Sequence, residues 1–541
     1  MKRLLTIIIG LAGALYPAFA QSAERTYVTT DRDWYAAGET VYLSAFCVDV
    51  SNGVRLSDVS AVAYVELTSA DGMALGGKVA LQGGRGAGSL ELPRTLPTGN
   101  YRLSAYTALS GQEGNYDPRT GSRIISIYNT LSTARVADAV EEGSAPLSQG
   151  EQPNSASLQV RTLPDGRIGL SSAVPASLSL SVYRNELFPS YGRGSLAQAL
   201  GVPAGPRTRE VVPEYDGEIM TLRISGADGE PLKDIQSPVV YVSRPGHLED
   251  VYAAPLQGDG LARLYTANFF GPGDMVVTLE KGAPAFKAEL DSPYRRLEPG
   301  DIPALMLDAS LKEPLARLNA RMQVTSAFDA DTLYQRLPSR QIVFLSDKCT
   351  RYVLDDYTRF ATMREVFVEY LSDIRARGRG EELELQVRSL KREGTGQVFR
   401  EDPSLILVDG VPVFDHSLVY NLDPNLVQSV EVYPYYCTLG RVMYSGVANF
   451  KTFKGDLGGI RFGDNVRILD FTGAAYPVAF TPSQDSRYPN ERETLLWQPL
   501  VELQAGEELV LPALQAPEGV VLVAEGLTEE GEPIFFKNIG E

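Results

Sequence analysis

The chain has 541 residues, of which 50 are lysine or arginine, 68 are aspartate or glutamate and 2 are histidine. A length of this order predicts about three or four domains, and the formal net charge of −18 argues against a nucleic-acid-binding protein, which would present a basic face. Two histidines leave little room for histidine-based catalysis or zinc chemistry. The 50 glycines, 34 prolines and 27 tyrosines favour many short strands and turns over long helices.

The first twenty residues are typical of a secretory signal peptide. A positive start at residues 1–3 precedes an apolar run at 4–15, and Ala18-Phe19-Ala20 is a small-residue cleavage site. The apolar run is shorter than the roughly 20 residues that a membrane-spanning helix needs, and no later run is long enough. We therefore expect an exported chain that begins at Gln21 and has no transmembrane span.

Three cysteines, Cys47, Cys349 and Cys437, lie far apart, and none belongs to a C-x-x-C pair. An odd number leaves at least one free thiol or an intermolecular bond. We interpret all three as small apolar side chains, and the sequence leaves open which of them is free or bonded.

Residues 21–133 carry the alternation of a β-sandwich. Strands are predicted over 40–46, 61–68 and 101–106, with turn signals between them. In the first of these strands Val41, Leu43 and Ala45 share one face.

Two stretches of this region resemble the macroglobulin MG2 domain. Residues 27–41, which include Asp31-Arg32-Asp33-Trp34, resemble its opening, and residues 96–107, which include Pro97-Thr98-Gly99-Asn100-Tyr101, resemble its closing strands. The resemblance implies an immunoglobulin-like sandwich.

The next two segments are less regular. Residues 134–155 are rich in alanine, serine, glutamate, glutamine and glycine, which predicts a linker or long loop. Residues 156–207 contain short alternating runs and resemble a small second macroglobulin-like β-domain.

Residues 208–290 are predicted to form a further sandwich. Strands are expected within 217–225, 238–243 and 274–279, with a hairpin turn at 258–260. This order resembles a carboxypeptidase-regulatory-like domain, an accessory module whose name implies no peptidase activity.

Two helices are predicted after residue 291. The first covers 309–322, where Leu311, Leu315 and Leu318 share a face. The second begins with a capping box of Thr362 and Glu365, and its apolar face continues to Ile374. A strand with alternating leucines is then predicted within 381–387.

The stretch from 404 to 455 predicts a strand, an Asp-Gly turn, a short strand, a helical pattern over 418–427 and two further strands. With Val408-Asp409-Gly410-Val411-Pro412, Ser429-Val430-Glu431-Val432 and the segment 444–450, it resembles the plug domain of TonB-dependent outer-membrane transporters. The resemblance implies an α+β plug-like domain over about 291–460.

We expect this plug-like segment to lack a barrel of its own. Only 86 residues follow Gly455, which is too few for a barrel of about 22 strands. Residues 461–541 return to an alternating pattern and predict a C-terminal β-domain, either a small sandwich or a sheet that pairs with an earlier module.

The expected fold is therefore mainly β and multidomain, with immunoglobulin-like or macroglobulin-like sandwiches and one α+β plug-like domain. The domain order resembles exported proteins of Bacteroidota, which implies a location in the periplasm, at the outer membrane or on the surface of a Gram-negative bacterium.

Motifs for catalysis are missing from the sequence. None of the cysteines lies in the C-x-E-Q thioester motif of protease-trapping macroglobulins, and no H-E-x-x-H, P-loop or G-x-S-x-G motif occurs. The acidic pairs Asp31/Asp33 and Asp355/Asp356 lack an EF-hand pattern, and we interpret them as solvated turn residues rather than calcium ligands. Asp415-His416 is interpreted as part of a loop rather than an acid–base pair. No catalytic, cofactor or metal site is predicted.

We expect a non-enzymatic binding or scaffold protein whose plug-like domain docks a protein partner, either an outer-membrane barrel or a TonB-type energy-coupling component. The alternatives are a surface adhesin or pilus-type subunit, or a peptide or glycan hydrolase or inhibitor with an unrecognised site; the oligomeric state stays open. The candidate docking residues are Asp409, Gly410, Pro412, Tyr433, Tyr435, Tyr436, Tyr444 and Gly446.

Overall fold

The computed structural model describes residues 23–540 except for 113, 115, 138–139, 144–152, 165–166, 187, 193, 206–210, 233–237, 268, 329–334, 338–344, 346–347, 391–395, 482–490 and 514–518. The predicted signal peptide at 1–20 and most of the second half of the predicted linker lie outside the described residues.

Most of the regular structure is β-strand. The strands of the first half of the chain are β1 Glu24–Thr30, β2 Trp34–Ala36, β3 Thr40–Asp49, β4 Arg55–Leu56, β5 Val62–Ser69, β6 Gly72–Ala80, β7 Arg85–Glu91, β8 Gly99–Tyr106, β9 Arg123–Tyr128, β10 Val140–Glu142, β11 Leu158–Thr162, β12 Ile168–Ser172, β13 Ala176–Arg184, β14 Ile219–Gly226, β15 Val239–Arg244, β16 His247–Pro255, β17 Leu261–Tyr265 and β18 Pro272–Thr278.

The strands of the second half are β19 Phe286–Leu290, β20 Leu305–Leu307, β21 Gln335–Arg336, β22 Thr350–Val353, β23 Ile374–Arg377, β24 Glu384–Leu390, β25 Gln397–Phe399, β26 Leu405–Val408, β27 Val411–Pro412, β28 Val427–Tyr433, β29 Cys437–Leu439, β30 Val442–Tyr444, β31 Val447–Thr452, β32 Val466–Thr472, β33 Val478–Ala479, β34 Thr494–Leu503, β35 Glu508–Val510, β36 Val520–Thr528 and β37 Pro533–Gly540.

The α-helices are α1 Leu196–Leu200, α2 Lys312–Phe328, α3 Met363–Glu369 and α4 His416–Tyr420. Within the part of the chain that the structure describes, no helix is both long enough and apolar enough to cross a membrane. The predicted mainly β, multidomain fold class is confirmed.

The chain forms two compact units, and each contains segments that are distant in sequence. Unit 1 takes its described residues from Met1–Gly217, Tyr294–Arg340 and Ala474–Glu541, whereas unit 2 takes them from Glu218–Pro293 and Gln341–Gly473.

The first sandwich of unit 1 lies within the first 130 residues. One sheet has the order β1-β3-β4 with β7 also paired to β3, and the other has the order β2-β9-β8-β5-β6. Val41, Leu43 and Ala45 of β3 are buried in the core between the sheets, together with Leu103 of β8. This burial confirms the inward face that their period-two spacing predicts.

The second sandwich of unit 1 combines segments from both ends of the chain. One sheet has the order β34-β13-β36-β37, and the other has the order β11-β12-β35. Strands β11 to β13 are too few to form two layers alone. Strand β35 therefore pairs with β12 in one sheet, and β34 and β36 pair with β13 in the other. The segments 156–207 and 461–541 are therefore not separate domains; the predicted alternative, in which the C-terminal piece pairs with an earlier module, describes the structure.

Helix α2 also belongs to unit 1. It starts and ends later than the predicted 309–322, and Pro314 lies in its first turn, where a missing N–H costs no helical hydrogen bond. Its Leu318 and Met322 pack in a cluster with Trp34. The predicted plug-like segment 291–460 thus differs from the structure at its start, since 294–340 lies in unit 1.

The sandwich of unit 2 pairs the sheet β17-β14-β19 with the sheet β16-β15-β18-β32. Its predicted strands within 217–225, 238–243 and 274–279 are confirmed as β14, β15 and β18. Its last strand, β32, lies outside the predicted 208–290 and pairs antiparallel with β18. The ring of Phe471 on β32 lies 5.4 Å from that of Phe269 in the core.

The rest of unit 2 contains a five-stranded mixed sheet with the order β22-β28-β31-β26-β27 and the smaller sheets β23-β24-β25 and β29-β30. The strands predicted for 404–455 are present as β26, β27, β28 and β31, but the hairpin of β29 and β30 between the last two was not predicted. The helix of this segment is α4 at His416–Tyr420 rather than a pattern over 418–427. A helical turn over Pro424–Leu426 accounts for the rest of that pattern.

Helix α3 covers one face of the mixed sheet. Its capping box is confirmed: the Thr362 N–H donates to Glu365 Oε2 at 3.0 Å, and Thr362 Oγ1 accepts from the Glu365 N–H. The helix ends at Glu369 rather than continuing to Ile374, which begins β23. The apolar spacing extends past the helix because Leu371 and Ile374 pack in the same core.

Candidate functional site

The predicted docking residues lie in or beside the mixed sheet of unit 2, which has neighbours on both faces. One face packs against α3, and the other packs against β15 and β16. The buried residues are Asp409, Gly410, Pro412, Tyr433, Tyr444 and Gly446, and the half-buried ones are Tyr435 and Tyr436.

The Asp-Gly turn holds backbone groups of unit 2 in place. The carboxylate of Asp409 accepts hydrogen bonds from the Thr452 N–H at 2.7 Å, the Thr452 hydroxyl at 2.6 Å and the Leu457 N–H at 2.9 Å. Gly410 has a φ of +83°, and a Cβ at this position would lie 3.1 Å from the carbonyl oxygen of His247. The position thus requires glycine for both conformation and space.

The tyrosines of this segment are tied to the neighbouring sandwich. The hydroxyl groups of Tyr444 and Tyr241 are 2.8 Å apart and buried, and Tyr433 packs in the same cluster. A Cβ on Gly446 would come within 2.8 Å of Val387. These contacts correct the prediction of a docking surface at the six buried positions, because side chains enclosed by their own unit cannot contact a partner.

Two of the other acidic motifs noted in the sequence have internal partners, whereas Asp355 and Asp356 are exposed, as predicted. Asp33 accepts a hydrogen bond from Nη1 of Arg123 at 3.1 Å. Asp31 and Asp33 are both buried, which corrects the prediction that they are solvated. Asp415 caps α4, and His416 Nδ1 accepts from the Leu385 N–H at 2.9 Å. Among the described residues, no group of three or more histidine, cysteine or acidic side chains could hold a metal ion.

A pocket of about 210 Å³ lies in unit 1, and we refer to it as the charged pocket. Its walls come from residues 31–42 around β2, from 322–326 near the end of α2, and from Phe480 and 492–494 before β34. The MG2-like sandwich, the second sandwich and α2 thus all contribute side chains to it.

Asp31 forms the floor of the charged pocket. Its carboxylate accepts hydrogen bonds from the Tyr35 hydroxyl at 2.7 Å, the Tyr42 N–H at 3.0 Å and the Thr494 hydroxyl at 2.5 Å. Burial raises the pKa of Asp31, while Arg32 and these hydrogen bonds act in the opposite direction. The bond to Thr494 joins the first sandwich to the start of β34.

Arg32 and Glu39 form an ion pair in one wall. Nη2 of Arg32 lies 2.9 Å from Oε1 of Glu39, and Nη1 lies 3.2 Å from Oε2. The guanidinium also lies 4.4 Å from the ring centroid of Tyr35. Since the Ala36 N–H donates to Glu39 at 2.6 Å as well, both charged groups have close protein partners.

Glu493 is held less closely. It is buried, and Nη1 of Arg321 lies 3.4 and 3.3 Å from its two carboxylate oxygens. The same nitrogen makes its shorter hydrogen bond to Glu186. Burial raises the pKa of Glu493 to about 7, although Arg32 and Arg321 act in the opposite direction. The charge of this pocket therefore changes near neutral pH.

An aromatic wall and a helix end complete the charged pocket. The rings of Tyr42 and Phe480 lie 5.2 Å apart in an edge-to-face arrangement, and the guanidinium of Arg492 lies 5.4 Å from the Phe480 ring. Thr325 and Ser326 lie in the last turn of α2, the end of a helix that carries partial negative charge.

The sequence indicated only part of this site. It drew attention to Asp31, but it interpreted this residue as a solvated acid, and Glu493 drew none. The available signal was an acidic residue directly before the apolar strand β34, which sequence patterns alone do not distinguish from an ordinary strand end.

The comparisons with known proteins bear on the first sandwich. Residues 25–121 match the model of the MG2 domain. This match confirms the predicted macroglobulin-like character of the region, which supplies the 31–42 wall of the charged pocket. No curated protein matches the chain.

Several solved structures are similar to the chain at low identity. Trypsin-activated α2-macroglobulin from Escherichia coli is 8% identical over 96% of this chain, with a TM-score of 0.22, and methylamine-reacted α2-macroglobulin from Salmonella is 9% identical over 96%, with a TM-score of 0.23. The chain covers 41% and 39% of these two proteins. The Yersinia pseudotuberculosis adhesin InvE is 13% identical over 49% of this chain and 57% of its own, with a TM-score of 0.13. TM-scores this low carry no argument about function.

Proposed function

We propose that the protein is a non-enzymatic, exported scaffold that binds a partner protein at the outer membrane. The coarse part of this proposal, a scaffold or binding role, agrees with the MG2 match at residues 25–121. The partner class, an outer-membrane barrel or a TonB-type energy-coupling component, rests on the plug-like order of 404–455.

The observation that carries the scaffold role is the way in which the two sandwiches of unit 1 are joined. Arg123 of β9 reaches Glu525 of β36, and the Tyr27 hydroxyl donates to the same carboxylate. The hydroxyls of Thr29 and Ser179 add a contact at 2.8 Å. All of these groups are buried, so they fix the two sandwiches as one rigid body rather than as flexibly linked modules.

A rigid body of this kind suits a binding platform, because little conformational freedom is lost when a partner docks. The burial of six of the eight predicted docking residues in unit 2 moves the proposed contact elsewhere. We place it at the charged pocket, which is lined by the weakly paired carboxyl of Glu493 and by the Tyr42–Phe480 wall.

Affinity capture of proteins from envelope extracts tests this function, and each captured protein is then purified and tested for direct binding to the chain. The immobilised full-length mature chain is expected to retain an outer-membrane barrel or an energy-coupling protein, and that protein, once purified, should bind directly in calorimetry. Recovery of no envelope protein of either class, or a recovered protein that fails to bind directly, contradicts the proposal.

One observation favours a second function, that of a hydrolase. Glu493 lines a pocket, and burial raises its pKa to about 7, which is one property of a general acid at neutral pH. Release of product from peptide or glycan panels by the wild-type chain, abolished in Glu493→Gln, would replace the scaffold proposal with a hydrolase.

A further inference from the structure

We propose that the charged pocket binds a basic side chain, a lysine or arginine that the partner protein inserts between Glu493 and the Tyr42–Phe480 wall. The identity of the donor rests on the proposed function, whereas the preference of the pocket for a cation rests on its own geometry.

The first argument is the charge balance around Arg32. This guanidinium makes its close ion pair with Glu39, at 2.9 Å, and lies 3.5 Å from the carboxylate of Asp31. The close partners of Asp31 are otherwise neutral donors, among them the Thr494 hydroxyl. One guanidinium therefore faces two carboxyl groups on this side of the pocket.

The second argument is the charge balance around Arg321. Its guanidinium is shared by three carboxylates, Glu186, Glu491 at 3.6 Å and Glu493 at 3.3 Å. Arg317 assists only at Glu186, at 2.7 Å. A cation that entered the pocket would give Glu493 the close partner that Arg321 does not provide.

The third argument comes from the neutral walls. The side of α2 contributes Met322, Thr325 and Ser326, which add no cation to this part of the wall. The rings of Tyr42 and Phe480 provide an apolar surface for the methylene stem of a lysine or arginine. Shape and charge thus favour the same class of ligand.

Two cationic side chains also lie at or beside the charged pocket, and they could make it select an anion rather than a cation. Arg492 is half-buried and lies over Phe480, while the exposed Arg94 donates to Ser326 at 3.2 Å. If these two groups dominated, the charged pocket would select an anion instead.

Binding should depend on pH. With a pKa of about 7, Glu493 is mostly protonated at pH 6 and mostly ionised at pH 8, so affinity for a cation should rise about tenfold over this interval. The charged groups that act on Glu493 or line the pocket beside it are Asp31, Arg32, Glu39, Glu186, Arg321 and Arg492, and Glu491 and Arg94 lie further out, paired with Arg321 and Ser326.

Calorimetry on the full chain with N-acetyl-arginine amide tests the inference, with N-acetyl-citrulline amide as the neutral isostere and N-acetyl-aspartate amide as the anionic probe. We expect the arginine probe to bind at least about tenfold more tightly than the citrulline probe at pH 8. Equal binding of these two probes, or preference for the aspartate probe, overturns the proposal.

Variants locate the site. Glu493→Gln should weaken binding of the arginine probe about tenfold and abolish its pH dependence, whereas Glu530→Gln, in an exposed turn, should change neither. Should Glu493→Gln fail to fold, Ser326→Arg at an exposed position supplies a tethered guanidinium that should block the probe. Undiminished binding in Ser326→Arg contradicts the assigned position.

The two proposals can fail separately. If the chain captures and directly binds an envelope partner but binds the arginine and citrulline probes equally, the scaffold function is retained and the basic-side-chain site is lost. A chain that selects the arginine probe but binds neither partner class would lose the scaffold function and retain the site.

Discussion

Nη2 of Arg123 lies 2.6 Å from Oε1 and 2.7 Å from Oε2 of Glu525, although 402 residues separate the two in sequence. Both side chains are buried, and Arg123 also reaches Asp33 at 3.1 Å. The pair connects a strand of the MG2-like sandwich to a central strand of the second sandwich. It therefore contributes to the stability of both.

Removing one member of this pair should destabilise unit 1. Glu525→Ala leaves the guanidinium of Arg123 buried without its main partner, and we expect a loss of about 3–5 kcal/mol in the free energy of unfolding. Urea denaturation of the full chain measures this loss. The control is Arg161→Ala, which breaks the exposed Arg161–Glu508 pair and should have little effect; similar effects for both variants would contradict a stabilising role of the buried pair.

Alanine at Gly410 should destabilise unit 2 through two effects. Its φ of +83° disfavours any side chain, and the new Cβ would lie 3.1 Å from the His247 carbonyl oxygen, so we expect a loss of about 2–3 kcal/mol. Gly459 is the matched control, since its φ is +73° but no atom lies within 4 Å of a Cβ, so Gly459→Ala should cost only about 1–2 kcal/mol. Equal losses in chemical denaturation would show that the close approach at Gly410 is unimportant.

His416 should make unit 2 less stable in acid. Burial, assisted by Lys281, lowers its pKa from 6.5 to about 4, so the unfolded chain binds the proton more tightly than the folded chain does. Its contribution is complete above pH 6.5 and is lost as the pH falls from 6.5 to 4, by about 3 kcal/mol in total.

Gln at this position can accept the Leu385 N–H bond but does not titrate. The free energy of unfolding of His416→Gln should therefore fall less steeply than that of the wild-type chain between pH 6.5 and 4, as measured by urea titrations at a series of pH values. Parallel pH profiles would exclude His416 as a source of acid sensitivity.

Cys47 should be chemically inert in the folded chain. It is free and fully buried, and burial, reinforced by Glu24, raises the pKa of its thiol well above the ordinary value. In a Cys349→Ser/Cys437→Ser double variant, a thiol reagent should react with Cys47 only after denaturant is added. Cys349 is half-buried, so a variant that keeps only this cysteine should react faster in the folded state; rapid labelling of Cys47 without denaturant would contradict its burial.

The sequence predicted local features well because they depend on neighbouring residues. The inward face of Val41, Leu43 and Ala45 follows from a period of two, and the start of α3 follows from the Thr362–Glu365 capping box. Neither feature requires knowledge of a distant partner.

Long-range pairing could not be predicted in this way. The alternation in β13 defines which side chains face the core, but it does not reveal that Leu180 pairs with Ala524 of β36 and Gln498 of β34. The charged pocket was missed for the same reason, since the Asp31–Thr494 hydrogen bond spans 463 residues. The buried docking candidates were misinterpreted because the turn chemistry of Asp409 and Gly410 is equally typical of a structural turn.

The late arrival of β34 and β36 affects how the chain is synthesised. About 310 residues separate Arg184, at the end of β13, from Thr494, at the start of β34. At translation rates of about 5–20 residues per second, β13 waits roughly 15–60 s for its neighbours to leave the ribosome. During this interval the nascent polypeptide exposes unpaired strand edges, which favours chaperone binding before unit 1 closes.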